Sequence, residues 1–251
     1  MRYGPSATVL AVLAQQGDRR PRTATLDLFA LGNPIFEPRK AEDTAPAVAP
    51  AEANAPATRG GLAPLPFTGE EVEAIGALFE PGRRTLLLQN EARETRVREP
   101  GFLGRYRWLH FATHGLVDER RPERSSLALA FPEDASEDGF LQASEIYGLN
   151  LDADLVVLSA CETGLGKTVR GEGVLGLPRA FLFAGAKSVV VSMWSVSDRS
   201  TSKYMQEAYR QMVRQNKAPA EAMMRARDTL RRSPEFAHPF YWAPFVLIGP
   251  G

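Results

Sequence analysis

The stretch Asp154-Leu-Val-Val-Leu-Ser-Ala-Cys161-Glu-Thr-Gly-Leu-Gly166 decides the fold class. It opens with an unbroken apolar run, Leu155 to Leu158, without polar alternation. Such a run reads as a strand buried on both faces, the kind found in the middle of a parallel sheet. Small residues follow, then the only cysteine of the chain, then a glycine-rich bend. A thiol at the carboxyl end of a central parallel strand lies where open α/β sheets place their reactive groups. The competing reading is a buried cysteine acting as a small apolar side chain.

Outward from this stretch the same grammar repeats. Ser188 to Met193 is a second strand of the buried type, and Arg107 to Thr113 a third, ending in His114-Gly115. Thr25 to Leu31 alternates as a strand and is stopped by Gly32-Asn33-Pro34. Thr85 to Leu88, Ser126 to Phe131 and Phe245 to Ile248 are further strands. Between them lie helical patterns. Ser6 caps a helix through Val9, Leu10 and Leu13, with a strand as the alternative. Thr68-Gly-Glu-Glu71 is a capping box opening a helix with Val72, Ile75 and Leu78 on one face. Glu91 to Glu99 is a polar helix, and a short helix surrounds Ala143 to Tyr147. Gly173 to Ala184 is an apolar helix interrupted at Pro178. Thr201 to Val213 and Pro219 to Leu230 are amphipathic helices. Residues 37–66 shift to Ala, Pro, Glu and Gly and read as a low-complexity loop. Alternating strands and helices predict an α/β fold with a largely parallel sheet covered on both faces. No internal repeat is visible.

Composition narrows the function classes. Lys+Arg and Asp+Glu balance at 30 each, so no global charge argues for a nucleic-acid partner. One cysteine excludes an intrachain disulfide framework and fits a reducing, cytoplasmic compartment. No apolar run approaches a membrane span, and Ala7 to Ala14 is a poor signal peptide, preceded by only Arg2 and broken near Pro5-Ser6.

The chemistry rests on one of three histidines. His110 lies inside an apolar strand and reads as packed, and His238, before Pro239, reads as a turn residue. His114 terminates a strand and is followed by Gly115, which permits close backbone approach to a ligand. A strand-end His and a strand-end Cys on one parallel sheet share an edge. Their separation is 161 − 114 = 47 residues, close to the roughly 50 of the caspase pattern. A thiol near pKa 8.5 is mostly protonated at neutral pH, and an adjacent imidazole favours the reactive thiolate. The imidazole then protonates a leaving amine. The backbone N–H groups of Gly115 and Cys161 are the candidate oxyanion hole.

Five ordered segments carry a resemblance: Leu109-His-Phe-Ala-Thr-His114-Gly, Leu158-Ser-Ala-Cys161-Glu-Thr-Gly, Gly171-Glu-Gly-Val-Leu-Gly-Leu-Pro-Arg-Ala-Phe, Ser192-Met-Trp-Ser-Val-Ser-Asp198 and His238-Pro-Phe-Tyr-Trp-Ala-Pro-Phe. Together they resemble the CHAT domain, a caspase-like family often found C-terminal to TPR repeats in bacteria. The resemblance starts around Pro5 and covers nearly the whole chain. It implies one peptidase domain over residues 1–251, a caspase/separase-like three-layer α/β/α sandwich with a mostly parallel central sheet. It also implies cysteine endopeptidase activity with a dyad of His114 and Cys161, a protein or peptide substrate, and no metal or cofactor. No TPR pattern is visible, so the chain reads as a fragment or a stand-alone relative; the resemblance implies a TPR-containing region or a regulatory partner as its company. The stretch before Pro66 looks like an insertion relative to the family. Trp194-Ser-Val-Ser-Asp198 is similar to a Trp-x-Val-x-Asp stretch of separases. That likeness implies Asp198 at the base of an S1 pocket for a basic P1 residue, with Trp194 as one wall. The plain alternative is that Asp198 caps the helix beginning near Thr201.

Three further motifs compete. Gly164-Leu-Gly166-Lys167-Thr168 resembles the end of a P-loop, but the required earlier glycine is Cys161. Gly171-Glu-Gly173-Val-Leu-Gly176 matches a dinucleotide fingerprint as a string, yet does not directly follow a strand. Asp134, Ser136, Asp138 and Glu145 have calcium-loop spacing, but a strand and Pro132 precede them where a helix is needed. The reading is therefore a cysteine endopeptidase, with a catalytically inactive interaction or scaffold module as the alternative and nucleotide binding far behind.

Overall fold

The computed structural model describes residues 2–3, 24–36, 62–118, 120–131, 137–159 and 176–250. The expected helix near Ser6, most of the Ala/Pro-rich loop, Cys161 with its glycine-rich surroundings, and the tip of the acidic loop lie outside the described residues.

Strands are β1 (Arg2–Tyr3), β2 (Leu26–Gly32), β3 (Arg84–Leu88), β4 (Tyr106–Ala112), β5 (Gly115–Leu116), β6 (Ser126–Ala128), β7 (Phe140–Gln142), β8 (Leu155–Leu158), β9 (Ser188–Ser192) and β10 (Phe245–Ile248). The α-helices are α1 (Pro66–Gly76), α2 (Glu94–Arg98), α3 (Ala143–Ile146), α4 (Gly176–Ala184), α5 (Asp198–Arg214) and α6 (Pro219–Arg232). Among the described residues the main sheet has the order β1-β10-β9-β8-β4-β2-β3, and β5-β6-β7 form a small antiparallel sheet. Within the main sheet only β10 against β9 is antiparallel.

The continuous apolar runs sit where they must. Every residue of β8 and of β9 is buried, because both sheet faces are covered. Side chains alternate between two cores. Phe29, Leu31, Leu109, Phe111, Val156 and Leu158 face one core with Phe181 of α4. Leu28, Ala30, Val157, Val190 and Phe245 face the other with Val72 of α1, Tyr204 and Tyr209 of α5 and Met223 of α6. This is the three-layer α/β/α sandwich with a mostly parallel sheet. At the amino-terminal ends of the strands, Asp154 is paired with Arg107 at 2.8 Å and Lys187 at 2.7 Å, tying the starts of β4, β8 and β9. Burial opposes the Asp154 carboxylate, but the two cations outweigh it and hold its pKa below the ordinary range.

Local readings needed correction. Thr68 is not a cap: α1 begins at Pro66, a residue suited to the first helical turn. The Thr68 hydroxyl instead donates to the Leu65 carbonyl at 2.6 Å and accepts from the Asn33 N–H at 2.7 Å. The polar stretch 91–99 yields only the short α2 after a 3-10 turn, since it lacks an apolar face to bury. Helix α4 runs unbroken through Pro178. The strands β1, β5 and β7 were not anticipated; each is two or three residues long, too short for periodicity to register.

Candidate active site

Strand β4 delivers His114 to the carboxyl edge of the sheet. The turn after it is fixed twice: the Thr113 hydroxyl donates to the Ala128 carbonyl at 2.6 Å, and the His114 carbonyl accepts from the Ala128 N–H at 2.9 Å. The His114 side chain is 1% exposed. Its ring lies 5.1 Å from that of Phe36, and Nε2 is 2.7 Å from the Ala63 carbonyl oxygen. A carbonyl only accepts, so Nε2 carries a proton in this contact. Gly115 faces Leu127 across the small sheet. The bond from Ala128 N–H to the His114 carbonyl makes this a pair of the non-hydrogen-bonded kind, so the Gly115 N–H points away from β6.

On the neighbouring strand, β8 runs parallel to β4 in the register Trp108↔Leu155 to Phe111↔Leu158. The Ser159 N–H continues the ladder, donating to the Phe111 carbonyl at 3.0 Å. The described chain stops there, and Cys161 follows two residues later in sequence.

Beneath this edge lies a polar network that the sequence reading missed. Glu71 of α1 is 0% exposed, as is His110 of β4. Glu71 Oε1 lies 2.7 Å from His110 Nε2 and accepts from the Ser159 hydroxyl at 2.5 Å. His110 Nδ1 is 3.2 Å from the Tyr209 hydroxyl. Both histidine nitrogens are satisfied when Nε2–H donates to Glu71 and Nδ1 accepts from Tyr209. Burial and the nearby Glu71 raise the Tyr209 pKa well above its ordinary value, which keeps that hydroxyl a donor. The sequence signal was present: Glu71 shares the helical face of Thr68 and Ile75, both buried. A carboxylate on an apolar face has a buried partner.

Asp198 is the first residue of α5, after Ser197 at the cap position. It does not cap a helix beginning at Thr201. Its Oδ2 instead accepts, at 3.0 Å, from the Phe67 N–H in the first turn of α1, so it caps a helix 131 residues away in sequence. Its Oδ1 is shielded from solvent and has no hydrogen-bond partner among the described residues. Burial pushes the carboxyl up to about 6; the Phe67 N–H opposes this, Glu71 and Glu70 add to it, and His114 opposes it. His114 and Asp198 are thus near enough to act on each other's charge. Trp194 leaves the end of β9 half-buried, its indole N–H donating to the Phe240 carbonyl at 3.2 Å. His238 sits at a turn as expected, its Nδ1 accepting from the Phe240 N–H.

The calcium spacing finds other employment. The Asp138 carboxylate accepts from the Phe140 N–H and the Gln142 side chain, and Arg98 bridges Glu94 and Glu145. Among the described residues no group of three or more His, Cys, Asp or Glu is arranged to hold a metal. Among the same residues no helix is long and apolar enough to cross a membrane.

Known proteins with similar sequence and structure agree with this architecture. The family model of the CHAT domain matches residues 1–250. Tetratricopeptide repeat protein 28 of Homo sapiens is 38% identical over 109 residues, 43% of this chain and 4% of that protein. Its Mus musculus counterpart is 36% identical over 109 residues with the same coverage. Among solved structures, the Saccharomyces cerevisiae separase–securin complex matches with a TM-score of 0.57 at 16% identity, over 98% of this chain and 14% of that chain. At that identity the likeness concerns the fold. The chain spans only a small part of each of these relatives.

Proposed function

The chain belongs to the CHAT domain family, and from that membership we propose that it is a cysteine endopeptidase with Cys161 as nucleophile and His114 as general base and acid. One observation carries the reading. The register of β4 against β8 has an offset of 155 − 108 = 47 residues, equal to the 47 that separate His114 from Cys161. The strand that leads to His114 and the strand that leads to Cys161 are therefore neighbours paired at the same offset as the two residues. The Ala63 carbonyl supports the role of His114 by fixing its ring through Nε2, which assigns the proton exchange to Nδ1.

In this mechanism Nδ1 takes the thiol proton, and the thiolate adds to the scissile carbonyl carbon. The oxyanion is received by the N–H groups of Gly115 and Cys161. The imidazolium then protonates the leaving amine as the C–N bond breaks, leaving a thioester. Water, deprotonated by Nδ1, adds to the thioester; the acid leaves and the thiol is restored. Asp198 forms the base of S1 with Trp194 as one wall, and its Oδ1, which has no hydrogen-bond partner among the described residues, pairs with an Arg or Lys P1 side chain. The substrate is a protein or peptide. The names of the matched relatives support a TPR-containing region as company for this domain, and the single cysteine fits a reducing, cytoplasmic setting.

The test is to incubate wild type, Cys161→Ala and His114→Ala with a peptide library and read cleavage sites by mass spectrometry. Cleavage by wild type is expected, with losses of roughly 10³-fold or more in either variant and no further loss on combining them. A folded His114→Ala protein with near-normal kcat removes the dyad. Absence of wild-type cleavage, with no covalent labelling of Cys161 by peptidyl electrophiles, leaves an inactive interaction module.

A further inference from the structure

Helix α1 touches the candidate site at three points. Its lead-in carries Ala63, whose carbonyl holds His114. Its first turn gives the Phe67 N–H to Asp198. Its buried face gives Glu71 to Ser159, two residues before Cys161, and to His110, four residues before His114. We propose that Glu71 is a positioning residue of the peptidase: its Oε1 locks the end of β8 to β4 and so sets the distance from the cysteine to the histidine.

The geometry argues for this beyond simple core satisfaction. The Ser159 hydroxyl and the His110 ring converge on the same oxygen, Oε1, while Oε2 is buried and has no hydrogen-bond partner among the described residues. A carboxylate selected only to satisfy His110 need not reach Ser159. Ser159 directly follows β8, with its backbone bonded to Phe111 and its side chain to Glu71. Two anchors there hold the residue that follows β8 against β4 and α1. Errors of about 1 Å in placing reacting groups reduce rates by about 10²-fold, so a residue that never meets substrate can still govern turnover.

This inference rests on the proposed dyad, and the chain offers a readout that needs no substrate. Cys161 is the only cysteine, so the rate of alkylation by iodoacetamide, followed against pH, reports on that one thiol. The proteins to compare are wild type, His114→Ala, Ser159→Ala, Glu71→Leu and Glu71→Gln, each confirmed folded by circular dichroism. Ser159→Ala is expected to slow alkylation at pH 7 by about tenfold and raise its pH midpoint, because the imidazole no longer meets the thiol. Glu71→Leu should do the same, with no added loss when combined with Ser159→Ala. Glu71→Gln keeps an acceptor oxygen and should recover most of the rate lost in Glu71→Leu. Ser159→Ala deletes a single hydroxyl and keeps the test decisive if Glu71→Leu does not fold. A Ser159→Ala protein with the wild-type rate and midpoint overturns the inference while leaving the dyad intact. Equal alkylation of wild type and His114→Ala overturns the dyad, and this inference with it.

Discussion

Asp198 shows how one side chain serves two ends. Its hydrogen bond to Phe67 holds the start of α1, and its charge is proposed to select the substrate. Replacement by Asn keeps an acceptor oxygen for Phe67 but removes the charge, so the two roles separate. For matched P1 Arg and P1 Leu peptides, the ratio of kcat/KM should fall by about 30-fold or more in Asp198→Asn, corresponding to about 2 kcal/mol for a desolvated charge partner. An unchanged ratio removes Asp198 from the specificity site. The carboxyl is pushed up to about 6 from its ordinary 3.8, and the sign of its effect follows. Between those values the folded state binds more protons than the unfolded one, so this group makes stability fall as pH rises from about 4 to 6. Urea unfolding of wild type and Asp198→Asn should show the variant gaining relative stability across that window. In the same window KM for P1 Arg peptides should rise as pH falls and Asp198 is protonated, while KM for P1 Leu peptides stays level.

At the scale of elements, α1 is seated by a glycine. A Cβ on Gly32 would lie 2.6 Å from the Thr68 carbonyl oxygen and 2.8 Å from a Val72 methyl. The end of β2 therefore approaches the backbone of α1 as closely as only glycine permits. Gly32→Ala should cost about 1–3 kcal/mol by overpacking. It should also lower turnover beyond that loss, since moving α1 moves Ala63, Phe67 and Glu71 together. Gly82→Ala is the control, because a Cβ there meets nothing within 4 Å. Denaturant midpoints and kcat of the two variants, measured side by side, check both statements. Equal kcat in Gly32→Ala and Gly82→Ala would show that the seat of α1 does not matter to the site.

The whole molecule is a sheet with a core on each face, and the strands belong to both. Phe181 of α4 packs 5.5 Å from Phe111 on one face; Phe245 stacks 4.4 Å from Tyr204 on the other. Each of Phe181→Ala and Phe245→Ala should cost about 3–5 kcal/mol. Because they lie in different cores, the costs should add. Because β2, β4, β8, β9 and β10 each contribute to both cores, unfolding should remain a single transition, with tryptophan fluorescence and circular dichroism coinciding. Two separated transitions would mean that the faces are independent units.

The sequence by itself determined the alternation of strands and helices, the buried character of β8 and β9, and the strand-end position of His114. Each is written in hydrophobic periodicity or in an unbroken apolar run, which are local properties. It also determined the family, through ordered motifs such as Leu109-His-Phe-Ala-Thr-His114-Gly. What it could not supply were partnerships between residues far apart in the chain. The tertiary structure decided that Glu71 joins Ser159 across 88 residues, that Asp198 caps α1 rather than the helix beginning at Thr201, and that Ala63 orients His114. Local spacing makes Thr68 and Glu71 look like a capping box. Packing overrides it because Pro66 starts the helix earlier, Asp198 supplies the missing acceptor, and Glu71 turns inward to meet His110. Hydrogen bonds of that reach exist only once the layers have closed, because burial is what makes an unpaired carboxylate too costly to leave unbonded.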